Sequence, residues 1–166
     1  MKLYVESLLP VDPNTAWELF ESAEFSQRLE SKTNIQAEVL EERPDGDNKV
    51  YRHMKYVSGT ELPKMVAKAL GSKSLTYEQF NRLDRNTGRM EWRVELPVLK
   101  DRVSVSGTTT ITDHDGGCRR VVDGDITVKM HLVGGQIEKA VVGEFEKSMG
   151  RAVDIVRDLI KERGLG

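Results

Sequence analysis

Apolar and polar residues alternate along much of the chain, and this pattern predicts β-strands with one buried and one exposed side. The clearest case is RMEWRVELPV at 89–98, in which the two kinds of residue separate completely. Such a strand belongs to an antiparallel sheet that is covered on one side and solvated on the other. The expected inward residues are Met90, Trp92, Val94 and Leu96, and the expected outward residues are Arg89, Glu91, Arg93 and Glu95.

Other segments have strand-like patterns, and turn sequences such as RPDGDNK and DHDGG separate several of them. On the strand 35–42 we expect Ile35, Ala37 and Val39 to lie on one side. The remaining predicted strands are 2–9, 49–57, 74–83, 102–112 and 119–132.

The last two predicted strands also have a clear inward side. Gly107 and Gly124 fall on that side, where they permit a bulge or a sharp bend in a strongly curved sheet. The expected inward residues are Val103, Val105, Thr109 and Ile111 on the first strand, and Val122, Ile126, Val128, Met130 and Leu132 on the second.

Two short helices are predicted between the first and second strands. Asp12 is suited to cap the first helix, and Pro13 fits its first position, where the missing N–H is not needed. A second helix at about 23–31 has Phe25 and Leu29 four residues apart on one side. We interpret 60–73 as a loop or lid, although a short amphipathic helix that ends at Gly71 also fits this segment.

The longest helix is predicted from about Gly135 to Arg163. Gly143 and Gly150 fall on its polar side, so they leave no gap in the interior. Each glycine weakens a helix by about 0.8–1 kcal/mol relative to alanine. The apolar side holds Ile137, Val141, Phe145, Met149, Ala152, Val156 and Leu159.

These elements predict an α+β fold in one domain, 1–166, with a seven-stranded antiparallel sheet curled around the long C-terminal helix. A helix of about 10 Å diameter does not fill such a wide half-barrel. We therefore expect a cavity between the sheet and the helix.

Composition excludes several classes of function. The formal net charge is −2 and no long basic run occurs, so we expect no nucleic-acid partner. No apolar run is long enough for a membrane span, and the N-terminus lacks the pattern of a signal peptide. The single cysteine, Cys118, cannot form an internal disulfide, which favours a cytoplasmic location.

Candidate catalytic chemistry is sparse. His53, His114 and His131 have no second ligand at the spacing of a zinc site, and Cys118 lacks an evident activating partner. We predict no catalytic residue, no metal and no cofactor. Arg52 lies on the inward side of its strand, where it either binds a ligand carboxylate or phosphate or pairs with a glutamate; if its strand is turned the other way, it is solvated.

Aromatic, methionine and small inward-facing residues are candidates to line the expected cavity. Ordinary core packing explains them equally well, and they are candidates because the fold implies a gap. Together with Arg52, the candidate ligand-binding residues are Met54, Tyr77, Trp92, Val105, Met130, Phe145, Ser148, Met149 and Ala152.

The order of elements, together with ITVKMHLVGGQIEKAVVGEF, resembles the helix-grip superfamily (SRPBCC), which includes START lipid-transfer domains, Bet v 1-like proteins and polyketide cyclases. HLVGGQIEKAV and the preceding GTTTITDHDGGCRRVVDGDITV are most similar to its bacterial DUF2505 branch. The resemblance implies a hydrophobic cavity and supplies no catalytic signature.

Three functions follow as expectations. The first is a protein that binds, transports or sequesters a small hydrophobic ligand, such as a lipid or a polyketide-like molecule. The second is a cyclase or hydratase that acts in the same cavity, and the third is a protein-interaction domain similar to relatives that assist a chaperone. We expect a binding protein rather than an enzyme; the sequence does not indicate an oligomeric state.

Overall fold

Seven antiparallel strands form one sheet in the order β1–β7–β6–β5–β4–β3–β2 in the computed structural model, which describes residues 1–166. The predicted α+β fold is confirmed, with α4 as the long C-terminal helix. The strands are β1 Lys2–Leu9, β2 Ile35–Pro44, β3 Lys49–Ser58, β4 Thr76–Asp84, β5 Arg89–Glu95, β6 Val103–His114 and β7 Gly117–Val128. The helices are α1 Pro13–Glu21, α2 Ala23–Thr33, α3 Lys64–Leu70 and α4 Gly134–Glu162.

The hydrophobic core is divided into two clusters along α4. The N-terminal part of α4 packs in the first core cluster, and its C-terminal part packs with α1 and α2 in the second. The first core cluster includes Trp92, Val105, Val122, Ile137 and Phe145. The second core cluster includes Trp17, Leu29, Ile111, Val156 and Leu159.

The predicted cap fixes the start of α1. Asp12 accepts a hydrogen bond from the backbone N–H of Thr15 at 3.0 Å and one from its hydroxyl at 2.6 Å, and Pro13 is the first helical residue. Ser22 ends α1 and caps α2 by accepting from the N–H of Phe25. This single shared residue sets the angle between α1 and α2, which both cover one end of the sheet.

The middle of the segment 60–73 is helical, so the interpretation as a loop was wrong and the alternative, a short helix that ends at Gly71, is confirmed. Helix α3 occupies Lys64–Leu70 and ends at Gly71, which has a φ of 66°. The buried side chains of Val66 and Leu70 pack in the first core cluster. Apolar spacing over a short helix is a weak signal, because two buried positions fit a loop as well as a helix.

Two residues predicted to face inward are exposed. Val39 is 50% exposed although it pairs with the buried Met54, because β2 is the edge strand of the sheet and has a neighbouring strand on one side only. Leu132 is 85% exposed, since β7 ends at Val128 and the chain turns through a φ of 67° at Leu132. Met130 also lies beyond the strand and is half-buried. Alternation along a strand therefore does not predict burial on an edge strand or beyond the end of a strand.

Gly107 and Gly124 lie on the inner side of the sheet, but neither forms a bulge. Trp92, Gly107 and Gly124 are direct neighbours across β5, β6 and β7, and the register there is continuous. A Cβ atom on Gly107 or Gly124 would lie 2.6 Å from the Trp92 indole. The two glycines therefore form a flat surface on which the indole packs, and the bulge that was one of their two predicted roles is absent.

Gly143 and Gly150 of α4 face open space, as their position on the polar side requires. A Cβ atom added at either glycine meets no atom within 4 Å. By contrast, a Cβ atom on Gly134 at the start of α4 would lie 2.6 Å from the carbonyl oxygen of Val128. The first pair is therefore unconstrained, whereas Gly134 is required by close packing.

Replacing Gly143 and Gly150 with alanine is expected to raise the free energy of unfolding by about 0.8–1 kcal/mol per site, because alanine loses less backbone entropy in a helix. Chemical denaturation of the single and double variants measures this gain. Gly134→Ala is the matched control and should lose stability. A double variant no more stable than the parent would contradict the expectation.

Candidate functional site

A cavity of about 160 Å³ lies between the inner side of the sheet, helices α1 and α2, and helix α4. It occupies the boundary between the two core clusters. Tyr77 and Phe145 of the first cluster and Trp17, Leu29 and Leu83 of the second line it. The gap exists because the N-terminal helices cover only one end of the sheet, and α4 alone does not fill the space beside them.

Three aromatic rings form one wall of the cavity. Tyr56 stacks on Tyr77 with ring centroids 5.1 Å apart, and Tyr77 contacts Phe145 at 5.2 Å. Burial raises the pKa of Tyr56 and of Tyr77 above the ordinary value of the phenol, so both are neutral near pH 7. This wall offers a large apolar surface with neutral hydroxyl groups.

The sheet contributes a polar strip to the cavity floor. Gln79 donates a hydrogen bond to Asn81 at 2.8 Å, and both side chains line the cavity. Thr109 on β6 is buried and lines it too. Polar groups in an otherwise apolar cavity can orient a ligand without a charge.

Arg52 lies at the rim of the cavity and has a partner. Its guanidinium donates to Glu42 at 2.8 Å across β2 and β3, and the Glu42 side chain is 46% exposed. This side of the cavity therefore meets solvent. The predicted pairing with a glutamate occurs, but the glutamate is on the edge strand rather than in the interior.

Arg120 is a charged residue of the cavity that was not among the candidates. It lies on β7 between the buried Cys118 and Val122, it lines the cavity, and its guanidinium carbon is 4.7 Å from the centre of the Phe20 ring. Its Nη1 atom is buried without a hydrogen-bond partner, while the residue as a whole is half-buried. Burial alone lowers the pKa of Arg120 to about 10, since no carboxylate compensates its charge.

The alternation of residues along β7 indicates that Arg120 faces the inner side of the sheet. Residues 118, 120, 122, 124 and 126 share one side of the strand, so the inward position of Val122 implies an inward arginine. Arg119, the next residue in the chain, points to the outer side and pairs with Glu6.

Seven of the ten candidate ligand-binding residues come together around this cavity. They are Arg52, Met54, Tyr77, Phe145, Ser148, Met149 and Ala152. The other three do not line it: Trp92 and Val105 are buried in the first core cluster, and Met130 packs against that cluster. The α3 segment does not line the cavity either, so it is no lid over this site.

Few carboxylate, thiol or imidazole groups at the cavity could act as a base, a nucleophile or a metal ligand. Glu21 is the one acidic residue that lines the cavity, and its carboxylate forms an ion pair with Arg85. Burial raises the pKa of Cys118 to about 11, so its thiol stays protonated. His53 contacts Glu78 at 3.2 Å and stacks on Phe80, away from the cavity lining. No group of three or more His, Cys, Asp or Glu side chains is arranged to hold a metal ion.

Solved structures of other proteins share this architecture. An aromatase/cyclase, Zhui, from Streptomyces sp. R1128 is 14% identical with a TM-score of 0.65, and the match covers 98% of this chain and 96% of that one. Ara h 8.0201 is 14% identical with a TM-score of 0.63, covering 98% of each chain. A START superfamily protein from Mycobacterium smegmatis is 11% identical with a TM-score of 0.61, covering 97% of each. The chain therefore has the helix-grip fold of Bet v 1-like and START-like proteins.

The family is narrower than the fold. The model of the family described as "Protein of unknown function (DUF2505)" matches residues 5–160, and the chain belongs to that family. A comparison with curated proteins gives no significant match. None of the helices is both long and apolar enough to cross a membrane.

Proposed function

We propose that this protein binds a small hydrophobic ligand in the cavity between the sheet, α1, α2 and α4. The observation that carries the proposal is the cavity itself, which divides the core at a point where aromatic side chains from both clusters are left without full packing. Native interiors leave few voids larger than a water molecule, so a gap of this size needs an explanation. A ligand supplies the missing contacts.

The size and lining of the cavity restrict the ligand. A cavity of about 150 Å³ in another protein holds benzene, and the cavity here measures about 160 Å³. The enclosed part of the ligand is thus comparable to one or two fused rings or a short branched chain. A longer molecule, such as a lipid or a polyketide-like compound, extends past the rim near Arg52. Transport or sequestration of such a molecule needs no further catalytic group.

The cavity favours this proposal over the alternatives. A protein-interaction domain has no use for a gap in its core, and a cyclase or hydratase needs a general base within reach of the substrate. Glu21 is held by Arg85, and Gln79, Asn81 and Thr109 are not bases at neutral pH. The proposal includes a cytoplasmic location, which the single buried thiol of Cys118 favours.

Filling the cavity tests the proposal. Ala152→Phe places a ring inside the cavity, whereas Arg151→Phe at the neighbouring position places the same ring on the exposed side of α4. We expect Ala152→Phe to weaken binding of indole, an uncharged aromatic of suitable size, by about 10-fold or more, because the added ring occupies the same volume. Calorimetric titration measures the affinity, and Arg151→Phe should bind as the parent does.

Native mass spectrometry of the protein purified from its own host is a second test of the proposal. A hydrophobic molecule should accompany the parent and Arg151→Phe, should be depleted from Ala152→Phe, and should be recovered by organic extraction. The proposal fails if no molecule accompanies the parent and indole binds all three proteins equally or not at all.

A further inference from the structure

One charge at the cavity has no counterpart. Arg120 projects from β7 toward Phe20 of α1, and its Nη1 atom is buried without any hydrogen-bond acceptor. No carboxylate forms an ion pair with it, although ion pairs are frequent elsewhere in the chain. Nη1 carries two of the five N–H donors of the guanidinium, and these two lack an acceptor.

The other two charged side chains that line the cavity each have an ion-pair partner outside it. Arg52 is paired with Glu42, and Glu21 is paired with Arg85. The cavity therefore has an excess of one positive charge, located at Arg120. Buried charges without partners are costly and rare in proteins, and unpaired ones are concentrated at functional sites.

Contact with Phe20 explains only part of the arrangement. The cation–π contact places the guanidinium carbon 4.7 Å from the centre of the Phe20 ring, but an aromatic ring supplies no hydrogen-bond acceptor oxygen, and Nη1 remains without a partner. Those donors are suited to the two oxygen atoms of a carboxylate, which bind a guanidinium in a bidentate manner.

We propose that the ligand carries a single carboxylate and that Arg120 binds it, while the apolar body of the ligand lies against the wall formed by Tyr56, Tyr77 and Phe145. This inference rests on the proposed function and specifies its ligand class as a small hydrophobic acid. One excess positive charge matches one negative charge, which favours a carboxylate over a phosphate dianion. The small volume of the cavity favours the same choice.

Two compounds of equal shape test the inference. Cinnamate has a carboxylate, and cinnamamide has an uncharged amide in its place. We expect the parent protein to bind cinnamate about 10-fold or more tightly than cinnamamide at low ionic strength, because a desolvated charge-assisted hydrogen bond is stronger than a neutral one. Calorimetric titration of both compounds gives this ratio.

Substitution of Arg120 assigns the preference to this residue. Arg120→Met keeps the length of the side chain and removes the charge, so the ratio should fall to about 1. Arg120→Lys keeps the charge without the fork and should retain part of the preference. Arg119→Met is the matched control, since Arg119 is adjacent in the chain but lies on the outer side and pairs with Glu6. Thermal melts establish that all variants are folded.

The outcomes separate this inference from the proposed function. Equal affinity of the parent for both compounds, binding of neither, or a preference for cinnamate that survives Arg120→Met overturns the role of Arg120. If the molecule extracted from the native protein is uncharged, the hydrophobic-ligand function stands and the carboxylate inference is wrong. An extracted carboxylic acid that is absent from Arg120→Met supports both.

Discussion

Gly107→Ala is expected to destabilise the protein by about 3 kcal/mol, at the upper end of the usual cost of overpacking a core. A Cβ atom on Gly107 would overlap the backbone carbonyl oxygen of Asp123 on β7, and it would lie 2.6 Å from the Trp92 indole. The indole can shift, but the carbonyl is fixed by the pairing of β6 with β7. Urea denaturation should show a lower midpoint, and an unchanged midpoint would contradict the expected overlap.

A double-mutant cycle separates the two causes. At Gly124 the nearest obstacle is the Trp92 side chain at 2.6 Å, with the carbonyl oxygen of Ser106 at 2.9 Å. Trp92→Leu removes the indole, so the cost of Gly124→Ala should fall by about 1 kcal/mol or more in the Trp92→Leu background. The cost of Gly107→Ala should fall less, because the Asp123 carbonyl remains. Equal relief at both glycines would show that the backbone is not the obstacle.

The fold was predictable because its dominant signals are local and repeated. Alternation along β5, β6 and β7 and the one-sided apolar pattern of α4 each extend over many residues, so one wrong position does not alter the result. The caps at Asp12 and Pro13 were equally clear. The predictions failed at the edges and ends of elements: Leu132 lies after the end of β7, Val39 lies on the edge strand β2, and α3 is a short helix.

The cavity was less predictable than the fold because it depends on how separate elements meet. Inward positions on the sheet and α4 identified Tyr77, Phe145 and Met149, which line the cavity. The same positions also identified Trp92 and Val105, which are covered by the first core cluster. Helices α1 and α2 decide which end of the sheet remains open. Sequence spacing alone does not distinguish their cavity-lining side chains Trp17, Phe20 and Phe25 from ordinary core residues.

A binding residue with an uncompensated charge should lower the stability of the protein without its ligand. The pKa of Arg120 is lowered to about 10 by burial, which means that the folded protein holds this proton less tightly than the unfolded chain does. The charged form therefore opposes folding at neutral pH, and this penalty diminishes only as the pH rises above about 10. Removing the charge removes the penalty.

Arg120→Met is accordingly expected to raise the free energy of unfolding of the ligand-free protein by about 2 kcal/mol. Replacement of even a buried ion pair by apolar residues of similar volume is often neutral or stabilising by about 1–4 kcal/mol, and Arg120 has no ion-pair partner to lose. For a chain of this size the gain corresponds to a rise in melting temperature of about 6 °C. Arg119→Met should instead leave stability unchanged or lower it by less than about 1 kcal/mol, since it breaks an exposed pair with Glu6. Calorimetry on ligand-free protein measures both.

A variant that is stabilised yet unable to prefer cinnamate indicates that Arg120 serves binding at the expense of folding, as stabilising substitutions at functional sites commonly reveal. A loss of stability in Arg120→Met would instead mark Arg120 as a structural residue held by its contact with Phe20.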